Sequence, residues 1–297
     1  MSISRQNLTI IIVTFKSDHI IDECIRSIDK EVKIIVIDNS NDKNLKEKIE
    51  KNYQNVKCVL STKNLGMGTG NNLGIKNIET DFALILNPDV TLEMDTINEL
   101  ISNAKKIDSF GIIAPISKNI NYPNYKIDKK EKNTLNNIHP FKVNSVDGFS
   151  MLINLKRLNY LESFKNHQYF DENFFMYLEN DDLCKRITDS NENIYIIPTS
   201  KINHLGGKAV NEIYKDEIEF SRNWHWMWSK FYFNKKHYGF FSALLNSIPN
   251  FFSAIFKFCL YLMINNKKRK EIYKNRILGF TNALIGNKSY YRPDINN

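Results

Sequence analysis

The sequence predicts an α/β fold, with a mostly parallel central sheet, helices on both faces, and a helical C-terminal region. Three observations carry that prediction. Short, continuously apolar runs alternate with amphipathic helical patterns, the rhythm of buried strands joined by crossover helices. Several of these runs end in polar turn residues, and ligands of such sheets collect at the carboxyl ends of strands. Past residue 210 the pattern gives way to long aromatic and apolar stretches with a basic cluster.

Residues 8–13 are Ile-rich without interruption, a first strand covered on both faces. Residues 18–29 place Ile20, Ile21, Cys24, Ile25 and Ile28 at helical spacing, with Asp18 as N-cap. Residues 32–37 form the second strand, closed by the turn chemistry of Asp38-Asn39-Ser40-Asn41. A polar helix over 43–51, a strand over 56–60 and a helix over 70–77 follow. Residues 81–86 read as the fourth strand, 91–106 as an amphipathic helix and 111–115 as another strand. From 117 to 142 the pattern lapses into a long polar excursion. Regularity returns at 143–154, a strand pair around Asp147-Gly148, then a helix over 183–188, a strand over 194–197 and a loop at 204–207.

A chain of 297 residues holds one large domain, or one domain with a tail, and an apolar fraction of 42% supplies its core. The net charge of +8, denser after Lys201, suits nucleotide phosphates or an acidic membrane face. No aromatic-basic recognition motif points to nucleic acid. Cys24, Cys58, Cys184 and Cys259 lie in apolar stretches without metal-ligand spacing, so they read as buried thiols of a reducing compartment. No apolar signal region precedes the first strand, and a cytoplasmic location is expected. Residues 240–264 are strongly apolar but interrupted by Asn246, Pro249, Asn250 and Lys257, breaks that disfavour a membrane span. With Lys267, Lys268, Arg269, Lys270 and Lys274 behind them, they read either as an interfacial anchor on an anionic leaflet or as a helical subdomain packed on the core or in a homodimer contact.

Four segments carry chemistry. Leu86-Asn87-Pro88-Asp89-Val90 ends the fourth strand, and oxygen-bearing Asn87 and Asp89 could hold a divalent ion against a phosphate. An ordinary Asn-Pro-Asp turn is the competing reading, weakened because Thr14-Phe15 and Asp38-Asn39 end neighbouring strands. Asn64-Leu65-Gly66-Met67-Gly68-Thr69-Gly70-Asn71-Asn72-Leu73-Gly74 offers backbone N–H groups to a ligand, but its spacing is neither a dinucleotide fingerprint nor a P-loop. Glu179-Asn180-Asp181-Asp182 could supply a general base or simply open a helix. His204 could ligate a metal, donate to a phosphate, or be structural.

Taken together, Ile11 to Phe15, Val36 to Ser40, Asn64 to Gly74, Leu86 to Val90, Val146 to Phe149, Phe170 to Phe175, Glu179 to Arg186 and His204 resemble, in order, a family 2 glycosyltransferase of the GT-A fold. The branch they resemble is the rhamnosyltransferase-like one that builds bacterial surface polysaccharides. The resemblance spans about residues 8–210 and leaves 211–297 outside. It implies a donor half over about 1–116 and an acceptor half over about 143–210. On the donor side it implies Thr14, Phe15, Asp38, Asn39 and Asn64 around the nucleotide, and Gly66, Gly70, Asn71 and Asn72 shaping the nucleotide-sugar pocket. Asp89 would be the last acid of an Asp-x-Asp motif for Mg2+ or Mn2+, with Asn87 in place of the first acid and His204 as a further contact. Asp147 and Gly148 would face the acceptor.

The acceptor side departs from the family pattern. Glu-Asp-x-Asp is common there, and Asn180 occupies the Asp position. Asn accepts no proton, so the order of choice for the base is Glu179, then Asp182, then Asp181. The alternative is that Asn180 marks weak or lost activity. The implied reaction is a single displacement with inversion, from a nucleotide sugar such as dTDP-rhamnose to a lipid-linked or surface glycan at the inner membrane face. A sugar nucleotidyltransferase would want a Gly-rich basic signature after the first strand, which Thr14-Phe15-Lys16-Ser17-Asp18 lacks. A nucleotide-sugar-binding scaffold is the non-enzymatic reading, and product release separates all three.

Overall fold

The computed structural model describes residues 3–119, 123–127, 138–164, 168–293 and 295. Contacts divide the chain into two compact units. The first comprises Met1–Leu65, Thr69–Asp171 and Asn180–Val210, and the second Gly66–Gly68, Glu172–Glu179 and Asn211–Asn297.

In the first unit, leaving aside Met67, Gly68 and Glu179 at the starts of two helices, β1 (Leu8–Thr14), α1 (Ile21–Arg26), β2 (Lys33–Asp38), α2 (Lys43–Asn52), β3 (Val56–Leu60), α3 (Met67–Lys76) and β4 (Phe82–Leu86) alternate as expected. Then come β5 (Val90–Leu92), α4 (Thr96–Ala104), β6 (Ile112–Ser117), β7 (Tyr125–Lys126), β8 (Phe141–Lys142), β9 (Ser145–Val146), β10 (Ser150–Asn154), α5 (Leu155–Leu158), α6 (Glu179–Asp189) and β11 (Ile194–His204). The sheet runs β3-β2-β1-β4-β10-β6-β11-β5, with β8 also on β11. Strands β1, β2, β3, β4, β6 and β11 share one direction, and β5, β8 and β10 oppose it.

Alternation along the strands sorts the core into two layers. Ile10, Ile12, Val36 and Leu84 pack with Ile21 and Cys24 of α1, Leu45 and Ile49 of α2, and Leu100 of α4. Ile11, Ile85 and Ile153 pack on the other face with Ile75 of α3, Leu158 of α5, and Leu183 and Ile187 of α6. Each such side chain contributes about 1.5–3 kcal/mol when fully buried. Helix α3 can approach β1 because Gly70 and Gly74 face it; a Cβ at Gly70 would stand 2.8 Å from Val13, and one at Gly74 2.4 Å from Ile11.

Several elements depart from the sequence reading. Helix α1 starts at Ile21 without a side-chain cap, and the Ser17 carbonyl receives the N–H groups of Ile20 and Ile21, so Asp18 is not the cap. Helix α3 begins at Met67, a turn earlier than expected. The helical stripe over 91–106 is divided, because Val90–Leu92 is captured as a strand by β11. Strands β9 and β10 do not pair with each other. Strand β9 pairs with β7, and β10 inserts antiparallel between β4 and β6. Strand β11 continues to His204 through an irregularity between Ile197 and Lys201. The polar excursion carries β7 and β8, while residues 120–122 and 128–137 lie outside the described residues.

The second unit is built on α7 (Lys215–Tyr238), α8 (Phe240–Met263) and α9 (Lys267–Leu284), which pack on one another. Its core comprises Phe174, Trp224, Met227, Trp228, Phe231, Ala243, Phe280 and Ala283. A single residue, Gly239, joins α7 to α8 at φ 84°. Helix α8 continues through Pro249, which therefore does not end it. By length and composition α8 could cross a membrane. Cys259, on α8, is exposed, unlike the other three cysteines and contrary to the expectation of four buried thiols.

Candidate functional site

Parallel pairing sets Thr14 beside Asp38 at the carboxyl ends of β1 and β2. Both are buried, and Thr14 Oγ1 donates to Asp38 Oδ1 at 3.1 Å. The backbone N–H groups of Ser40 and Asp42 donate to the two oxygens of Asp38, at 3.1 and 2.7 Å. Asp38 thus shapes the loop after β2 through its own carboxylate. In that loop Ser40 Oγ accepts from the N–H of Lys16, which sits at φ 53°, and Phe15 N–H donates to Ser17 Oγ. Asn39 is buried and accepts from Leu65 N–H at 3.3 Å, next to half-buried Asn64.

The glycine-rich segment divides by role. Gly66, at φ 80°, lies against the carbonyl of Phe175, where a Cβ would come within 2.2 Å, and Met67 N–H donates to that carbonyl. Asn72 clamps the Phe170 backbone through its Nδ2 and Oδ1, at 2.8 and 3.0 Å. Asn71 is equally buried, but its Oδ1 has no hydrogen-bond partner among the described residues.

Asp89 sits at the centre of the most structured part of the site. Asn87 to Val90 is a turn closed by a 3.2 Å hydrogen bond from Val90 N–H to the Asn87 carbonyl, so the segment is a turn and not extended chain. Antiparallel pairing of β5 with β11 then sets His204 opposite Val90, which brings His204 Nε2 to 3.5 Å from Asp89 Oδ1. The loop after His204 folds back through Gly206 and Gly207, at φ 65° and 71°. From it Leu205 N–H donates to the Asp89 carbonyl and Lys208 N–H to Asp89 Oδ2. The Phe149 ring stacks on His204 with centroids 4.0 Å apart, and its carbonyl accepts from Asn87 N–H.

Asp89 is 2% exposed, and both its Oδ1 and the Oδ1 of Asn87 are buried without a hydrogen-bond partner among the described residues. Native structures satisfy such oxygens, so two from one turn call for a donor or a cation from outside the chain. A hard divalent cation fits this set: one carboxylate and one amide oxygen, with an imidazole beside them. Among the described residues no three His, Cys, Asp or Glu gather into a metal-binding group.

Around Asp147, expected to face the acceptor, burial pushes the carboxyl up, Lys126 and His204 pull it down, and Asp181 adds to the rise. Lys126 bridges Asp181 at 2.6 Å. Gly148 lies against Asn180, whose Nδ2 donates to the Val146 carbonyl at 2.9 Å. Asp182 is fully buried and paired with Arg186 at 2.9 Å. Glu179, the buried first residue of α6, belongs to the second unit. Tyr177 and Leu178 just before it both sit at positive φ, 70° and 66°. Two successive left-handed non-glycine residues cost on the order of 1–3 kcal/mol each, and such strain clusters at functional positions.

Sequence reasoning missed four participants. Lys126 lies in a stretch without periodicity, and Lys208 acts through its main chain. Phe149 stood in a matching segment with no role given to it, and Ser150, whose buried Oγ also has no partner among the described residues, pairs with Leu86 in a register that only the fold reveals.

The description "Glycosyl transferase family 2" matches residues 9–178, more than half of the chain. The chain belongs to that family. The low-salt glycan biosynthesis hexosyltransferase Agl10 of Haloferax volcanii is 28% identical over 205 residues, 63% of this chain and 64% of that protein. The chain thus spans a little under two thirds of that relative. Among solved structures, the mannosyltransferase PcManGT of Pyrobaculum calidifontis in complex with GDP-Man and Mn2+ has TM-score 0.55 at 11% identity, over 94% of this chain and 87% of that one. S. aureus TarS 1-349 in complex with UDP has TM-score 0.51 at 16% identity, over 98% and 94%. At these identities the likeness is one of fold, and it agrees with the GT-A expectation.

Proposed function

We propose that the protein is a metal-dependent, inverting glycosyltransferase that moves a sugar from a nucleotide-sugar donor to an acceptor hydroxyl. The single observation that carries this reading is the pair of buried oxygens without hydrogen-bond partners on Asn87 and Asp89, at the end of β4 in a family 2 fold. Mn2+ and a nucleotide sugar in PcManGT, and UDP in TarS, support donor and metal by analogy. Asp89, Asn87 and His204 would hold Mg2+ or Mn2+. The bound ion would offset the negative charge that builds on the departing nucleoside diphosphate.

The chain's own residues supply the rest. Asp38 and Thr14 fix the loops at the ends of β1 and β2, so that Phe15, Asn39, Asn64 and Asn71 can meet the nucleotide. Glu179 takes the proton of the acceptor hydroxyl as its oxygen attacks the anomeric carbon from the face opposite the leaving group. The strained Tyr177-Leu178 backbone immediately precedes that residue. Asp147 and Gly148 face the acceptor, with Lys126 and Asp181 as their ion-paired surround. Asp182, held by Arg186, positions α6 and leaves the base role to Glu179, with Asp181 next.

The donor proposed is dTDP-rhamnose, on the branch that the motifs resemble. The acceptor is a lipid-linked or growing surface glycan at the inner face of the cytoplasmic membrane. A thermal-shift screen of UDP-, GDP- and dTDP-sugars with Mg2+ or Mn2+ identifies the donor. Turnover with it must then release nucleoside diphosphate; release of pyrophosphate, or of nothing with any acceptor glycan, contradicts the reading.

A further inference from the structure

Helix α8 has two unlike faces. Ala243, Ser247 and Ala254 are buried, and these small residues let the helix seat closely in its own unit. Elsewhere on its surface Phe241, Leu245, Phe252, Phe256, Leu260 and Met263 form an exposed apolar stripe, with Phe241 80% and Met263 84% exposed. Their spacing of three, four and seven residues keeps them in one row along about 33 Å of helix. No Asp or Glu lies between Gly239 and Asn266, and the one Lys in the helix, Lys257, turns onto the Tyr273 ring of α9. A row of this length exposed to water marks an interaction surface.

Charge identifies the occupant. Residues 1–210 carry 27 Lys and Arg against 27 Asp and Glu, so the first part is neutral. Residues 211–297 carry 14 against 6, which is the whole net charge of +8. Exposed basic residues flank the stripe at both ends, Lys235 and Lys236 before α8, Lys267 and Arg269 after it. A second copy docking through this face would bring like charge onto like charge, whereas an anionic leaflet accepts both the apolar row and its basic flanks.

Crossing the bilayer is a different matter. Helices α7 and α9 pack along α8, and the first ten residues of α9 alone hold Lys267, Lys268, Arg269, Lys270, Glu271, Lys274 and Arg276. Insertion of α8 across the hydrocarbon would carry those charges in with it, at a cost that disfavours it.

We infer that α8 lies flat in the interface of an anionic lipid leaflet, its Phe241–Met263 stripe among the acyl chains and its basic flanks at the headgroups. This surface is independent of the nucleotide site, and its test needs no donor.

The test is flotation of the full-length protein with vesicles of phosphatidylcholine alone or with phosphatidylglycerol, at low and high salt. Anionic vesicles should carry the protein, neutral ones at least about tenfold less, and salt should weaken the binding. Phe252→Gln with Phe256→Gln should reduce anionic binding by about tenfold or more while the melting temperature stays unchanged, since both positions are exposed. Lys267→Glu with Arg269→Glu should reduce it in a salt-dependent way. Equal flotation of the Phe variant and the parent overturns the inference. So does a parent that never floats, or one that self-associates through Phe252 and Phe256 instead, which would make the occupant a second copy.

Discussion

Asp182 and Arg186 form a buried ion pair one turn apart on α6, with Arg186 Nε 2.9 Å from Asp182 Oδ2. Arg186 also donates to the Tyr169 carbonyl and lies over the Phe164 ring. A carboxylate so engaged is poorly placed to take a proton from an acceptor. Asp182→Ala should leave the half-buried Arg186 with only its backbone-carbonyl partners and lower stability by about 1–3 kcal/mol. Denaturant unfolding checks this, and Asp182→Asn should behave as a milder version, with donor affinity retained.

Glu179→Gln should lower turnover by about 10²–10⁴-fold with donor affinity unchanged, the pattern of a lost general base. Steady-state kinetics combined with equilibrium donor binding measures both. The same loss in Asp181→Asn, with Glu179→Gln active, would move the base to the Lys126 pair.

Asn180 has a structural reason to be Asn. Its Nδ2 supports the Val146 carbonyl, a donation that Asp could not make. Asn180→Asp should therefore destabilise by about 1–3 kcal/mol and add a third carboxylate near Asp147 and Asp181, without raising turnover. A gain in activity at unchanged stability would show that Asn180 is a damaged catalytic position.

Much of this was legible beforehand, for physical reasons. Strands β1, β2 and β4 are buried on both faces along their apolar runs, so those runs are continuous, and their ends marked Thr14, Asp38 and Asp89. Val90–Leu92 was not legible, because its spacing continues the helical stripe of α4 and only the partner strand β11 decides its conformation. The place of β10 between β4 and β6 was hidden for the same reason, since periodicity describes one strand and not its neighbours. Gly206-Gly207 read as a loop, but nothing local said that it would return Lys208 N–H to Asp89. Nor did anything local say that Asp38, expected at the nucleotide, would also accept hydrogen bonds from Thr14, Ser40 and Asp42.

His225 should make the C-terminal unit acid-sensitive. Burial drives its pKa down to about 3, and it lies between Ser289 Oγ at Nδ1 and the Tyr291 carbonyl at Nε2. The folded value lies below the unfolded 6.5, so the unfolded chain binds the extra proton. Stability is therefore full above about 6.5 and is lost as pH falls from there toward about 3, by up to about 1.4 kcal/mol per pH unit. Thermal melts across that window should show the decline, and His225→Gln should flatten it.

The central claim is that Asp89 anchors a divalent cation used to hold the donor diphosphate. Calorimetric titration of UDP, GDP and dTDP, with and without Mn2+, into the wild-type protein and Asp89→Ala tests it most directly. The account predicts that Mn2+ tightens binding of the preferred nucleotide by at least about tenfold in the wild type, about 1.4 kcal/mol, and leaves the variant unchanged. An equal gain from Mn2+ in Asp89→Ala would contradict it.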